Sequence, residues 1–123
     1  MLIDENPDDN FLHERVLNKS GLVGSVITKL TARDALDHLK TRNAHEDIHP
    51  DLILLDINMP GMSGWDFLTQ YDNLDKDFQS HAMVVLTSDP NDAARARMRN
   101  IVSDSIMKPL TKEMLIDIVQ KCF

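Results

Sequence analysis

The chain has 123 residues, 42% hydrophobic and 27% charged, which suits one soluble domain with one core and is too short for two. Its 20 acidic and 13 basic residues leave a formal net charge of -7, which argues against nucleic acid or an anionic membrane surface as the main partner and favours a protein with a basic patch. No apolar run approaches the roughly 20 residues of a membrane span, and the acidic opening MLIDENPDD does not read as a signal peptide. One cysteine, Cys122, cannot form an internal disulfide. The expected location is cytoplasmic, and Cys122 is expected to pack rather than react.

Leu2-Ile3 reads as a short strand stopped by Asp4-Glu5. Asn6-Pro7-Asp8 feeds a helix in which Phe11, Leu12, Val16 and Leu17 recur at helical spacing, and Gly21 ends it. Val23 to Leu30, containing Val26 and Ile27, reads as a second strand, and Asp34 to Lys40 as a second helix. Asp51 to Asp56 is the clearest strand: Leu52, Ile53, Leu54 and Leu55 run without alternation, as in a strand buried on both faces. A loop over Ile57 to Gly61 precedes a helix capped near Ser63 and striped by Trp65, Leu68 and Tyr71. Ala82 to Leu86 is a strand, Asp89 to Asp92 a turn into a helix reaching Asn100, and Ile106-Met107 a brief fifth strand. Thr111 begins the last helix, with the stripe Leu115, Ile118, Val119 and Cys122. Five strands alternating with five helices over short loops predict an α/β domain spanning 1–123, a parallel sheet covered by helices on both faces.

In such sheets function gathers beyond the C-terminal strand ends. The first strand ends in Asp4-Glu5, the third in Asp56, the fourth in Thr87 and the fifth at Lys108. Each alone is an ordinary strand end, but together they place three carboxylates, a hydroxyl and an ammonium at one end of the sheet. Carboxylates this close raise one another's pKa unless a cation is present, and a hard divalent ion such as magnesium suits oxygen ligands. Glu5 and Asp56 are the expected direct ligands, with Asp4 holding a coordinated water and the backbone carbonyl near Asn58 as a further donor. Such a site could also stabilise a transferring phosphoryl group, with Asp56 as nucleophile and Thr87 and Lys108 neutralising its oxygens. These residues by themselves leave phosphoryl transfer and a plain metal site both open. The five histidines, His13, His38, His45, His49 and His81, lack the spacing of a zinc site.

The segments LIDENPDD (2–9), LILLDINMPGMSGWDFL (52–68), VVLTSD (84–89) and IMKPL (106–110) resemble the bacterial response-regulator receiver domain, typified by the chemotaxis response regulator. That resemblance implies a flavodoxin-like, three-layer doubly wound sandwich with strand order 2-1-3-4-5. It implies that Asp56 is the phosphoacceptor, that Asp4 and Glu5 are the acidic pair for magnesium (manganese as an alternative), and that Thr87 is the switch hydroxyl. It also implies a cis bond between Lys108 and Pro109, with Asn58 and Asp89 modulating the pocket. The implied partners are a histidine kinase or a histidine phosphotransfer domain upstream and an unspecified protein downstream. A homodimer through the fourth-helix to fifth-helix face, which carries Arg95, Arg97, Arg99 and Lys121, is one further arrangement. Two features depart from the family: Glu5 replaces the commoner aspartate, and Ser105 stands where an aromatic is usual. They keep open a phosphorylation-independent pseudo-receiver that only binds proteins. A flavin carrier or magnesium phosphohydrolase is a third reading, disfavoured by Asp4-Glu5 where a phosphate loop would lie and by Asn58 where a second acid would lie.

Overall fold

In the computed structural model, residues 1–40, 49–59 and 61–123 are described; His45 and Pro60 of the sequence reading lie outside them. The elements run β1 (Leu2–Ile3), α1 (Pro7–Ser20), β2 (Thr28–Lys29), α2 (Ala32–Lys40), β3 (Leu52–Asp56), α3 (Gly64–Asp72), β4 (Ala82–Thr87), α4 (Pro90–Arg97), β5 (Asp104–Met107) and α5 (Lys112–Cys122), with a short 3-10 turn at Lys76–Phe78. All strand pairs are parallel and the order is β2-β1-β3-β4-β5, the doubly wound arrangement implied by the sequence.

Local chemistry sets the helix boundaries. The Asn6 side chain accepts from the N–H groups of Asp8 and Asp9, Pro7 opens α1, and Gly21 closes it at φ 73°. Ser63 and Asp66 form a reciprocal capping box on α3, while Asp89 caps α4 and Thr111 caps α5.

The sheet separates two apolar layers. Ile3, Ile53, Leu55, Met83 and Val85 face α2, α3 and α4, where they meet Leu36, Leu39, Phe67, Leu68 and Tyr71. Leu2, Leu54, Val84 and Leu86 face α1 and α5, where they meet Leu17, Leu115 and Ile118. The unbroken run of β3 thus splits residue by residue between the two layers. Each such fully buried Leu or Ile stabilises the fold by about 1.5–3 kcal/mol relative to exposure.

Several expectations need correction: α4 stops at Arg97 rather than Asn100, and β5 begins at Asp104 rather than Ile106. The second strand is not Val23 to Leu30 but Thr28–Lys29, because a strand forms only where a neighbour lies beside it, and β1 offers Leu2 and Ile3. Phe11 and Leu12, expected to pack inward, are 64% and 54% exposed. The buried positions of α1 are Asn10, His13 and Leu17.

Gly64 marks a tight approach. A Cβ there would lie 2.5 Å from the Ile57 Cα and 2.8 Å from the Ile57 carbonyl oxygen, and backbone cannot yield as a side chain does. Gly64→Ala is therefore expected to lower the stability of the fold by about 1–3 kcal/mol, read as a fall in the urea midpoint at an unchanged m-value. An unaltered midpoint would contradict the contact.

Candidate functional site

Parallel pairing brings the ends of β1, β3, β4 and β5 to one edge of the sheet. β3 ends at Asp56, opposite Leu86 of β4, and Thr87 of β4 lies opposite Met107 of β5. The next residue, Lys108, donates its backbone N–H to the Thr87 carbonyl at 2.9 Å, which carries the line of β5 beyond the strand. The Lys108–Pro109 peptide bond is cis.

Lys108 is the centre of this edge. Its Nζ lies 2.8 Å from Asp4 Oδ2, 3.2 Å from Asp9 Oδ2 and 3.4 Å from Asp56 Oδ2. Asp4 and Asp56 are buried, while Asp9 is partly open to solvent. Burial opposes the ammonium, yet the Asp4 hydrogen bond and the surrounding carboxylates outweigh it and hold the Lys108 pKa above its usual value. Asp4 is further fixed by Oδ1, which accepts the Asn6 N–H at 3.0 Å.

Asp56 shows the opposite balance. Burial first, and then the neighbouring Asp4 carboxylate, push its pKa from 3.8 to about 6; Lys108 and the Asn58 N–H, which donates to Oδ1 at 3.1 Å, offset this only in part. This carboxylate sits in a place that would hold a proton or a cation more readily than an ordinary aspartate does.

The other expected residues fall as follows. Thr87 is fully buried, and its Oγ1 accepts the Asp89 N–H at 3.1 Å. Asp89 is exposed and caps α4 through the Asn91 N–H at 2.8 Å. Glu5 is exposed at the rim, and Asn58 is exposed beyond β3. Among the described residues, no three Asp, Glu, His or Cys side chains form a ready-made metal cluster. Ser105 is fully buried, its hydroxyl donating to the Ala93 carbonyl of α4 at 2.8 Å, and its own carbonyl accepts from Arg97 Nη2 at 2.8 Å. A small polar residue thus stitches β5 to α4 by bonds in both directions. Arg97 and Lys121 both pair with Asp104, Arg95 lies 4.1 Å over the Trp65 ring, and Arg99 donates to Thr69 Oγ1. The three arginines of the expected output face are engaged within the chain.

Sequence reading missed Asp9, Asn10 and His13. All lie on the inward side of α1. Their signal is a register: positions 10, 13 and 17 follow the i, i+3, i+7 spacing of a buried stripe, but two of the three are polar. A cavity of about 460 Å³ lined by Met1, Val26, Leu52, Leu54 and Val119 lies at the opposite, N-terminal ends of the strands, away from these polar groups.

The Asp56 environment has a measurable consequence. A carboxyl with a raised folded-state pKa stabilises the fold in its protonated form. That contribution is complete below about pH 3.8 and is lost as pH rises through about 6. Asp56→Asn removes the loss, so in metal-free buffer the variant is expected to exceed the wild type by about 1–2 kcal/mol near neutral pH and by little near pH 4. This is less than the full linkage, because asparagine also gives up the ion pair with Lys108. Urea unfolding of both proteins across that range checks it, and a pH-independent difference would refute the assignment.

The response regulator receiver domain family matches residues 1–120. A "Two component response regulator" from Cytophaga hutchinsonii superposes with a TM-score of 0.86 at 27% identity, covering 98% of this chain and 92% of that one. "Protein PilG" of Pseudomonas aeruginosa is 30% identical over 98% of this chain and 83% of its own length. The "Hybrid signal transduction histidine kinase D" of Dictyostelium discoideum is 30% identical over 94% of this chain, which spans only 7% of that protein.

Proposed function

Because the chain belongs to the response regulator receiver family, we propose that it is a phosphoacceptor switch in which Asp56 takes a phosphoryl group from a phosphohistidine. The observation that carries this reading is the Lys108 ammonium held within 3.4 Å of Asp56 and 2.8 Å of Asp4 at the strand ends. An Asp56 carboxylate oxygen attacks phosphorus in line; the new O–P bond forms as the N–P bond to the donor imidazole breaks, and the ring, already protonated on its other nitrogen, takes the N–P electron pair and leaves as neutral imidazole. The product is an acyl phosphate. Lys108 and the Thr87 hydroxyl stabilise charge on the phosphoryl oxygens, and holding them in place is most of the catalysis such a transfer requires. Hydrolysis by water at phosphorus returns Asp56 to the free carboxylate, with Asn58 and Asp89 at the rim where water approaches.

The donor chemistry fits magnesium. Asp4 and Asp56 offer oxygen only, the Asp4 carboxylate raises the proton affinity of Asp56, and magnesium commonly uses one or two carboxylates with several waters. Glu5 and the backbone carbonyl near Asn58 are the further donors, and manganese suits the same set. When bound, the ion supplies positive charge beside the transferring phosphoryl oxygens. A histidine kinase or a phosphotransfer domain is the expected donor, and likeness to part of a hybrid histidine kinase supports that class.

The reading also gives a route outward. Thr87 Oγ1 now accepts the Asp89 N–H, and Asp89 caps α4. A hydroxyl drawn toward a phosphoryl oxygen releases that N–H and disturbs the first turn of α4. Trp65, the one tryptophan in the sequence, stacks under Arg95 of the same helix and should report the change. The face formed by α4, β5 and α5 is the expected contact for a downstream protein or a second copy.

Incubation with magnesium and acetyl phosphate is expected to add one phosphoryl mass to the wild type and none to Asp56→Asn, and to change Trp65 fluorescence only in the former. Lys108→Ala should slow uptake by about 10²-fold. A mass gain that survives in Asp56→Asn would remove Asp56 as acceptor. No gain in the wild type across a magnesium titration would remove the switch reading and leave a phosphorylation-independent binding module.

A further inference from the structure

The inner side of α1 presents a problem of physical chemistry. Asn10 and His13 are 5% and 4% exposed, at positions where apolar side chains would bury favourably. Polar groups are retained in such places at a cost of several kcal/mol unless they find partners. The partners here all belong to the chain around Lys108. Asn10 Nδ2 donates to the Asp4 carbonyl at 2.9 Å and so fixes the end of β1, where the Asp4 carboxylate receives the lysine. Asp9 Oδ2 accepts from Lys108 Nζ at 3.2 Å. His13 Nε2 accepts the backbone N–H of the buried Leu110 at 3.5 Å, just beyond Lys108.

We propose that Asp9, Asn10 and His13 form a positioning face on α1 that aims Lys108 between Asp4 and Asp56. The lysine backbone is tied on one side by its N–H to the Thr87 carbonyl and on the other, through Leu110, to His13. Its side chain crosses the gap to three carboxylates, of which Asp9 belongs to the same helix as His13. One rigid element therefore holds the root of the lysine, its tip and the strand end it points at. The inference rests on the phosphoacceptor reading for its purpose, but not for its geometry.

The geometry also fixes the chemistry of the imidazole. An Nε2 that accepts from Leu110 carries no proton, so the ring is neutral with its hydrogen on Nδ1. Burial first and the Lys108 charge second keep the His13 pKa below its usual value, against the opposing pull of Asp4 and Asp9. His13 Nδ1 and Asn10 Oδ1 have no partner in the structure. One is a donor and the other an acceptor, one turn apart on the same face of α1.

The test separates positioning from packing. Gln places an acceptor near the position of Nε2 and Leu places none. In ¹⁵N-labelled protein, with neither metal nor phosphoryl donor present, the Lys108 ammonium resonance is assigned by its loss in Lys108→Arg. His13→Leu and Asp9→Asn are expected to shift that resonance and hasten its solvent exchange, whereas His13→Gln stays near the wild-type position. In magnesium with acetyl phosphate, His13→Leu is expected to lower the maximal uptake rate about tenfold with little change in half-saturating donor, and His13→Gln to stay within about threefold of wild type. A Lys108 resonance unmoved in both folded His13→Leu and Asp9→Asn would overturn the proposal, as would damage in His13→Gln equal to that in His13→Leu. Should His13→Leu not fold, the Asp9→Asn and His13→Gln resonances decide. Should the wild type take up no phosphoryl group, the switch reading fails while the resonance still decides the positioning.

Discussion

One ammonium holds the functional edge together. Asp4, Asp9 and Asp56 come from a strand end, a helix and another strand end, and each would repel the others in a space largely closed to water. Lys108 touches all three. Its position depends on β5 pairing with β4, which continues through the Lys108 N–H to Thr87, and on α1 being laid against the ends of β1 and β5. The lysine lies closer to Asp4 than to Asp56, 2.8 Å against 3.4 Å, and burial, with the Asp4 carboxylate beside it, raises the proton affinity of Asp56.

Much of this edge was legible in the sequence because strand ends are legible. The run Leu52 to Leu55 marks a buried parallel strand, so Asp56 is forced to its end. Thr87 and Lys108 follow by the same logic. What could not be read was the rotation of α1. Phe11 and Leu12 look like core residues, and hydrophobic periodicity turns them inward; the structure turns them outward because Asn10 and His13 have backbone partners inside, and Phe11 and Leu12 have none. Hydrophobicity is a weak guide where the buried face is paid for by hydrogen bonds. The extent of β2 was hidden for a different reason. Val26 and Ile27 have the composition of a strand, but pairing is a property of two segments: Thr28 and Lys29 are in register with β1, and Ile27 adds only its carbonyl, which accepts the Leu2 N–H at 2.7 Å.

The corner formed by α4, β5 and α5 is tied together around Ser105. Ser105 brings no aromatic ring to move, but it is not a gap. Its hydroxyl and its carbonyl each bond to α4, and the adjacent Asp104 draws Arg97 from α4 and Lys121 from α5 to one carboxylate. The exposed ion pairs contribute little individually, whereas the Ser105 hydroxyl bond is buried and contributes about 1 kcal/mol. Helix α4 is thereby held at its middle by Ser105 and at its start by the Asp89 cap, and the cap alone is connected to Thr87.

The outward turn of Phe11 and Leu12 has a mechanical meaning. They lie on the same two turns of α1 as Asp9, Asn10 and His13, so the helix offers an apolar grip on one side and the lysine's supports on the other. A displacement of α1 would move both sides together, since a helix acts as a stiff rod.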